Sequence, residues 1–272
     1  MLAKNLCGDA YFNVIGVDLK NEPAGACWPA SATGQTDCPP GLNWQRVASE
    51  FGNAVLRRCP QWLIFVQGIY QQDQTIEFEE REYFYNDGRG ASLQNSFANP
   101  VTFADFPSVS KVVYAPHFYS PSVYPASYYF LSSDVDRNIF EEFPLTAEGN
   151  ASLQAQMYAV MEAAFGTTLT NSAVVLGEFG GIYGMEEIAA SRTSTRVIEN
   201  FLTFIQENGM AGGFVWSINP DITYDFNGIF NPINGFKYGL FEFDYQNFHP
   251  DYAATLQLGL DGTGPLPCFE RT

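Results

Sequence analysis

Five short apolar runs recur along the chain, and mostly helical patterns lie between them. The runs predict strands at residues 14–19, 63–68, 112–118, 173–179 and 212–218. In the first of these, apolar β-branched residues predominate instead of alternating with polar ones, which is typical of a strand covered on both faces. Strands that are separated by helices pair in parallel through right-handed crossovers. The sequence therefore predicts an α/β fold.

Three of the intervening segments show a helical period. Segment 43–59 carries Val47, Phe51, Val55 and Leu56 on one face, and a proline follows it. Segments 152–166 and 193–209 repeat the pattern, the second with a glycine at its C-terminal end. Long polar and aromatic insertions follow two strands, at 71–107 and 219–243.

Polar or reactive side chains stand at the end of every predicted strand. They are Asn21 and Glu22, Gln67, His117 and Tyr119, Glu178, and Trp216 and Asn219. The C-terminal ends of parallel strands open on one mouth of a barrel, where the active site is built. We therefore expect these side chains to converge.

Two of them, Glu22 and Glu178, suit a retaining glycosidase, which needs two carboxyl groups about 5–5.5 Å apart. Either one alone is better explained as a surface carboxylate that caps the next helix. Strand alternation sends His117 and Tyr119 to one side, where they could hydrogen-bond sugar hydroxyls or a catalytic carboxylate. Trp216 could form an apolar floor under one sugar ring. A rim position for His117 and a core position for Trp216 remain the structural alternatives, but all five together favour catalysis.

Charge narrows the choice of partners. Thirty acidic against thirteen basic residues give a net charge of −17, which repels a phosphate backbone and argues against nucleic acid. No apolar run reaches the roughly 18 residues of a membrane span, and residues 1–12 lack the apolar core of a secretory signal. An acidic surface is compatible with a neutral polysaccharide, and aromatic residues, 16% of the chain, offer flat faces for sugar rings.

The five cysteines lack paired C-x-x-C spacing, so the sequence predicts no zinc site. Cys27 and Cys38 bracket a loop of mostly small residues, where a disulfide would limit loop entropy. Cys7 and Cys59 are a second candidate pair. Cys268 is then left over.

Five motifs resemble a known family in order and spacing. "VIGVDLKNEP", "LIFVQG", "YAPHFYSPSVYP", "VVLGEFGG" and "FVWSINPDITYDFNGIF" are similar to glycoside hydrolase family 5, of the (β/α)8 TIM-barrel clan, and particularly to its bacterial-type endo-β-1,4-glucanases. The resemblance covers nearly the whole chain. It implies a secreted, monomeric, retaining hydrolase of internal β-1,4-glucosidic bonds in cellulose or a related β-glucan, with no metal or organic cofactor.

The same resemblance implies a role for each matching residue. Glu22 resembles the acid/base, Glu178 the nucleophile, and Asn21 the asparagine that holds the sugar 2-hydroxyl. Glu22 must be protonated when attack begins, whereas Glu178 must be ionised, so two similar groups need different environments. The asparagine contact strengthens towards the oxocarbenium-like transition state and so lowers the barrier.

Three aromatic or imidazole side chains complete the implied set. His117 and Tyr119 match the pair that flanks the nucleophile, and Tyr119 is expected to hydrogen-bond Glu178. Trp216 matches the tryptophan beneath the sugar at the cleavage point, where the family often has a cis peptide bond to the next residue.

One departure from the family concerns the strand count. The family's barrel has eight strands, and the five predicted here resemble strands 4 to 8, with residues 1–13 similar to the third helix. We therefore expect residues 1–272 to form a single catalytic domain that is incomplete at its N-terminal side, with Met1 an internal methionine. The expected fold is an open, curved five-stranded sheet whose edge strands are 14–19 and 212–218, without the family's active-site arginine.

Other functions remain open at this point. A β-mannanase or a xyloglucan-active enzyme of the same family would use the same two glutamates, although loops 81–94 and 219–230 resemble cellulase loops more. From another class, a non-catalytic carbohydrate-binding protein would keep the aromatic cleft without turnover.

Overall fold

The computed structural model describes residues 2–30, 38–70, 75–84, 90–107, 110–134, 137, 139–184, 190–220 and 239–260. The strands are β1 (Gly16–Asp18), β2 (Leu63–Val66), β3 (Thr75–Phe78), β4 (Arg81–Phe84), β5 (Val112–Tyr114), β6 (His117–Tyr119), β7 (Ser132–Asp134), β8 (Ile139–Glu141), β9 (Ala173–Val174), β10 (Leu176–Gly180) and β11 (Gly213–Val215). The helices are α1 (Leu2–Asn5), α2 (Trp44–Leu56), α3 (Ala147–Met161), α4 (Thr167–Leu169), α5 (Thr193–Glu207) and α6 (Pro250–Leu260). None of the helices in these ranges has the length and hydropathy of a membrane-spanning segment.

All five predicted strands are present and pair in parallel in chain order. One ladder runs β1-β2-β5-β9 and the other β6-β10-β11. β5 and β6 are two halves of one run that is interrupted at Pro116, which has no N–H to donate. Backbone bonds from Val175 to the Tyr114 carbonyl and from Gly177 to the Pro116 carbonyl join the two ladders across this interruption. Within the described residues β1 and β11 pair on one side only, so they are the edges of an open sheet.

The main core lies between one face of this sheet and the long helices. Asn43 precedes α2, and its side chain accepts a hydrogen bond from the Arg46 N–H and so caps the helix. α3 and α5 pack on the sheet and on each other through buried apolar residues that include Leu153, Met157, Phe201 and Phe204. The prediction of three helices in these segments is thus confirmed.

The buried face of α2 differs from the predicted one. Phe51 is 55% exposed, and the helix instead meets the sheet through small residues such as Ala48 and Gly52. A Cβ on Gly52 would lie 2.3 Å from a ring carbon of Phe103 and 3.2 Å from Ile64. The close approach of helix and sheet, rather than the size of the apolar side chains, decides which face is buried.

The opposite, concave face of the sheet carries a smaller apolar set. Val113, Ala115 and Val175 are buried there, with Phe65 packed beside them. Towards the edges the same face opens to solvent, since Phe214 on β11 is 53% exposed. This exposed concave face forms the floor of a cleft.

Two hairpins and two disulfides lie outside the parallel sheet. The antiparallel hairpins β3–β4 and β7–β8 follow β2 and β6. Both predicted cysteine pairs form disulfides: Cys27 with Cys38, and Cys7 with Cys59, the latter tying the N-terminal segment to the residues after α2. Cys268 and most of the 219–230 loop lie outside the described residues.

Candidate active site

Parallel pairing brings two glutamates and a histidine to one point. His117 and Glu178 are direct neighbours in the register of β6 and β10, and Glu22 follows β1. The His117 Nδ1 lies 3.3 Å from Glu22 Oε1 and 3.4 Å from Glu178 Oε2. One carboxylate oxygen of Glu22 lies within 4.8 Å of one of Glu178. The two carboxyl groups can therefore act on neighbouring atoms of one bound molecule.

Donors surround the Glu178 carboxylate. The Tyr119 hydroxyl donates a hydrogen bond to Glu178 Oε2, and the buried His117 imidazole faces the same oxygen. A single Nδ1 proton can be donated to Glu22 or to Glu178 at one time, so His117 couples the two carboxyl groups. Of the residues that the structure describes, Glu22, His117 and Glu178 also form the one group close enough to hold a metal ion. The resemblance assigns glycosidase roles to these same residues and implies that no metal is needed. The absence of a metal or organic cofactor remains a prediction.

The Glu178 strand is anchored from behind. The Ser120 N–H donates to the Gly180 carbonyl, and the buried hydroxyls of Ser120, Ser122 and Ser194 form a triangle with sides of 2.6–2.8 Å. The Ile182 N–H donates to the Ser122 Oγ at 2.8 Å. These bonds fix the chain directly after Glu178.

Glu22 is held in a different way. Its φ of 43° lies in the left-handed region, which costs about 1–3 kcal/mol for a residue other than glycine and persists only where surroundings enforce it. The Glu22 N–H donates to Gln67 Oε1 at 2.6 Å, and Gln67 Nε2 donates to Asp18 Oδ2 at 2.8 Å. Asp18 lines the open cleft and is exposed as a whole residue, but desolvation of its carboxyl group by the surrounding protein raises its pKa, although hydrogen bonds from Gln67 and from the Lys20 backbone oppose the shift.

Sequence reasoning placed Gln67 at a strand end without giving it a role, and it missed Asp18 entirely. A signal for Asp18 existed. It is a carboxylate between two apolar residues in a strand, and its side chain must therefore face opposite to theirs, into the concave side. The sequence had no means of showing that Gln67 would meet it.

Asn21 and Trp216 differ in their relation to the cleft. Asn21 lies beside Glu22, with Oδ1 3.5 Å from Gln67 Nε2. Trp216 follows β11, is 43% exposed and is joined to Ser217 by a cis peptide bond, as the resemblance implied. The structure brings Asn21 to the cleft but leaves the Trp216 side chain outside the set that lines it.

The cleft has a volume of about 470 Å³. Its polar end is formed by Asp18, Asn21, Gln67, His117 and Glu178, and its floor by Ile15, Gly16, Phe65, Ala115, Gly177 and Phe214. Convergent polar groups at one end of an apolar cleft are the usual form of a ligand site.

Comparisons with known proteins identify the family of the chain. Residues 2–222 match the family described as Cellulase (glycosyl hydrolase family 5). The chain is 30% identical over 208 residues to the major extracellular endoglucanase of Xanthomonas campestris pv. campestris, an alignment that covers 76% of this chain and 35% of that protein.

Solved structures give the same picture. The catalytic domain of the Xanthomonas campestris enzyme superposes with a TM-score of 0.61 at 25% identity, covering 90% of this chain and 56% of that one. A cellotetraose complex of an endocellulase variant from Pyrococcus horikoshii superposes with a TM-score of 0.65 at 25% identity, covering 96% and 60%. The chain thus spans 56–60% of the length of these structures, whose family has a (β/α)8 barrel. On this evidence the chain belongs to glycosyl hydrolase family 5.

Proposed function

We propose that this protein is a retaining endo-β-1,4-glucanase in which Glu22 is the acid/base and Glu178 the nucleophile. The observation that carries the proposal is the approach of the two carboxyl groups to within 4.8 Å, with the His117 imidazole facing both. Such a spacing fits the about 5–5.5 Å of retaining pairs and is too short for the about 6.5–9.5 Å of inverting pairs.

In this proposal Glu178 attacks the anomeric carbon while the protonated Glu22 gives its proton to the departing glycosidic oxygen. The C–O bond of the substrate breaks as the bond to Glu178 forms, which leaves a glycosyl-enzyme. Glu22, now ionised, takes a proton from water, and that water displaces Glu178 with the original configuration restored. Tyr119 and His117 hold the Glu178 carboxylate, and Asn21 holds the sugar 2-hydroxyl.

Similarity supports the substrate class. The Xanthomonas campestris relative is an extracellular endoglucanase, and the Pyrococcus horikoshii structure holds cellotetraose. We therefore propose cellulose or a soluble β-glucan as the substrate, extracellular action, and Trp216 as the aromatic surface beneath one sugar. The two disulfides are compatible with an oxidising compartment.

We also propose that residues 1–272 act as one catalytic domain whose five parallel strands correspond to the fourth to eighth strands of the barrel. Support comes from the coverage of 56–60% of the solved relatives and from the two one-sided edge strands, β1 and β11. Superposition of an experimental structure on a family barrel tests this, and a different strand correspondence would refute it.

The central experiment follows cellotetraose cleavage by proton NMR. We expect the β-anomer of the product to form first, and initial formation of the α-anomer would refute the retaining mechanism. Glu178→Gln should abolish turnover. Glu22→Ala should lose about 10²–10⁴-fold on cellotetraose, the usual contribution of a general acid, whereas azide should accelerate turnover of dinitrophenyl β-cellobioside, whose leaving group needs no proton, by replacing the attacking water. Glu50→Gln, at an exposed position on α2, is the matched control.

A second candidate is a carbohydrate-binding protein without turnover. It is favoured by the open floor of the cleft, where Phe214 and Ile15 are 53% and 60% exposed instead of being covered as in a closed barrel. Affinity electrophoresis in glucan gels beside assays on carboxymethylcellulose, mannan and xyloglucan separates the cases. Retardation without release of reducing ends supports binding alone, and exclusive cleavage of mannan or xyloglucan would change the proposed substrate.

A further inference from the structure

We infer that Gln67 and Asp18 are positioning residues that hold Glu22 where it can protonate the leaving group. The inference rests on the proposed acid/base role of Glu22. It concerns a chain of two hydrogen bonds: from the Glu22 N–H to Gln67 Oε1, and from Gln67 Nε2 to Asp18 Oδ2.

The backbone around Glu22 needs such a support because the sheet does not reach it. The parallel register of β1 and β2 ends at Asp18 and Phe65, and the Leu19 N–H donates the next bond to Phe65 at 3.2 Å. Glu22 lies three residues further on, in the left-handed region. Gln67, directly after the adjacent strand, supplies through its side chain the acceptor that a longer ladder would have supplied through its backbone.

Asp18 determines which way the Gln67 amide points. An ionised carboxylate only accepts hydrogen bonds, so it selects the Gln67 amide nitrogen and turns the amide oxygen towards Glu22. In the flipped orientation the NH2 group would face the Glu22 N–H, donor against donor. Gln67 is 3% exposed. Gly90 packs against its amide group, since a Cβ on Gly90 would lie 3.0 Å from Gln67 Oε1.

The consequence concerns proton transfer specifically. With its backbone in the observed conformation, the Glu22 carboxyl lies 3.3 Å from His117 Nδ1. Loosening that backbone misplaces the acid but leaves Glu178, which is held by β10 and Tyr119, in place. Substrates whose leaving group needs a proton should then suffer, whereas substrates with a good leaving group should not.

Gln67→Leu tests this with two substrates. For cellotetraose, whose leaving group is a poor one, we expect kcat/KM to fall about 10²-fold, the loss typical of a 1 Å misplacement of a catalytic group. For dinitrophenyl β-cellobioside, which leaves without a proton, the rate of glycosylation should change by less than about 3-fold, since general-acid assistance is not required. Gln156→Leu is the matched control. Gln156 is an equally buried glutamine that donates to the carbonyls of Tyr128 and Phe130, and its loss should affect both substrates alike.

Two conservative variants separate positioning from packing. Gln67→Glu keeps an acceptor for the Glu22 N–H but must share one proton with Asp18 to remain paired. At acidic pH its activity on cellotetraose should therefore approach that of wild type. As the pH rises, this activity should be lost at a lower pH than in the wild type. The charged groups that face Asp18 are Lys20 and His117, and neither variant changes them. Asp18→Asn keeps an acceptor but no longer selects the amide orientation, so its loss on cellotetraose should be smaller than that of Gln67→Leu.

The outcomes are distinct. If wild type cleaves cellotetraose while Gln67→Leu loses equally on both substrates, or loses nothing, the inference is wrong and the proposed function stands. If Gln67→Leu does not fold, the pH profile of Gln67→Glu decides, and an unshifted profile overturns the inference.

If wild type cleaves neither substrate, the proposed function fails. A crystal structure of Gln67→Glu at high pH then tests the positioning role without an activity assay. A displaced Glu22 carboxyl supports the positioning role, and an unmoved one overturns it.

Discussion

The two glutamates of the site are equally close to His117 but are held by different parts of the molecule. Glu178 lies inside β10, where it pairs in register with His117 of β6, and β10 also pairs with β11 on its other side, with an irregularity between Leu176 and Phe179. Glu22 lies beyond the end of β1, an edge strand among the described residues, and depends on Gln67 and Asp18.

This difference separates two ways of fixing a catalytic group. A residue within a doubly paired strand takes its position from backbone hydrogen bonds, so many of its neighbours can change without moving it. A residue after an edge strand takes its position from a few side chains, so one substitution can release it. Substitutions in the backbone around Glu178 should therefore lower the stability of the fold. Substitutions around Glu22 should lower the activity.

The largest effect is expected behind Glu178. Gly181→Ala places a Cβ 1.8 Å from Ser120 Oγ at a φ of 139°, and the clash and the backbone strain together should destabilise the fold by about 3–5 kcal/mol. Gly212→Ala is the control, with a φ of 133° and nothing within 4 Å. It should lose only the strain, about 1–3 kcal/mol. Chemical denaturation measures both, and equal losses would show that the serine triangle yields without cost.

Tyr119→Phe should act on Glu178 without affecting the fold. Removing a donor to a charged group costs about 1.5–3 kcal/mol, which corresponds to roughly a 10- to 100-fold lower kcat/KM on cellotetraose. Dinitrophenyl β-cellobioside should be affected similarly, because attack by Glu178 is common to both substrates. Tyr245→Phe, at a 61% exposed position, serves as the control. A change of less than 2-fold would remove Tyr119 from the proposed machinery.

Gly90→Ala examines the Glu22 side with a milder change. The new Cβ would lie 3.0 Å from Gln67 Oε1 and 3.7 Å from Glu22 Cα. Gly25→Ala has a similar φ, 68° against 76°, and meets nothing within 4 Å. Both should lose about 1–2 kcal/mol of stability through the left-handed backbone. Only Gly90→Ala should lower kcat/KM on cellotetraose, by about 10-fold, less than the 10²-fold of a full 1 Å displacement. Equal activity in the two variants would contradict the dependence of Glu22 on Gln67.

The contrast between the two sides also explains what the sequence could reveal. The strands, their parallel order and the meeting of Glu22, His117 and Glu178 follow from local patterns, because every strand brings its C-terminal end to the same mouth. The bond between Gln67 and Asp18 joins residues 49 positions apart and depends on a register that no local pattern encodes. The exposure of Phe51 escaped prediction for a related reason, since the close approach at Gly52 is a property of packing and not of periodicity.

The smallest effect expected is a gain in stability from Asp18→Asn. Desolvation of the carboxyl group raises the pKa of Asp18 above its ordinary value of 3.8, so between 3.8 and the folded-state pKa the folded protein holds a proton that the unfolded chain has released. Stability therefore falls as the pH rises from 3.8 through the folded-state pKa, and it remains reduced at neutral pH. Asparagine keeps an acceptor for Gln67 but removes this titration, so the variant should have a higher Tm than wild type at neutral pH.

Asp105→Asn provides the opposite case. Hydrogen bonds from Arg57 and Asn53 lower the pKa of the exposed Asp105, so its contribution to stability is present above 3.8 and is lost as the pH falls through the lower folded-state pKa. Its asparagine variant should have a slightly lower Tm at neutral pH and a Tm equal to that of wild type in acid. Thermal unfolding between acidic and neutral pH compares the two variants. A lower neutral Tm for Asp18→Asn would mean that the charge of Asp18 stabilises the fold, and that the edge of the sheet retains this carboxylate for stability instead of for the position of Glu22.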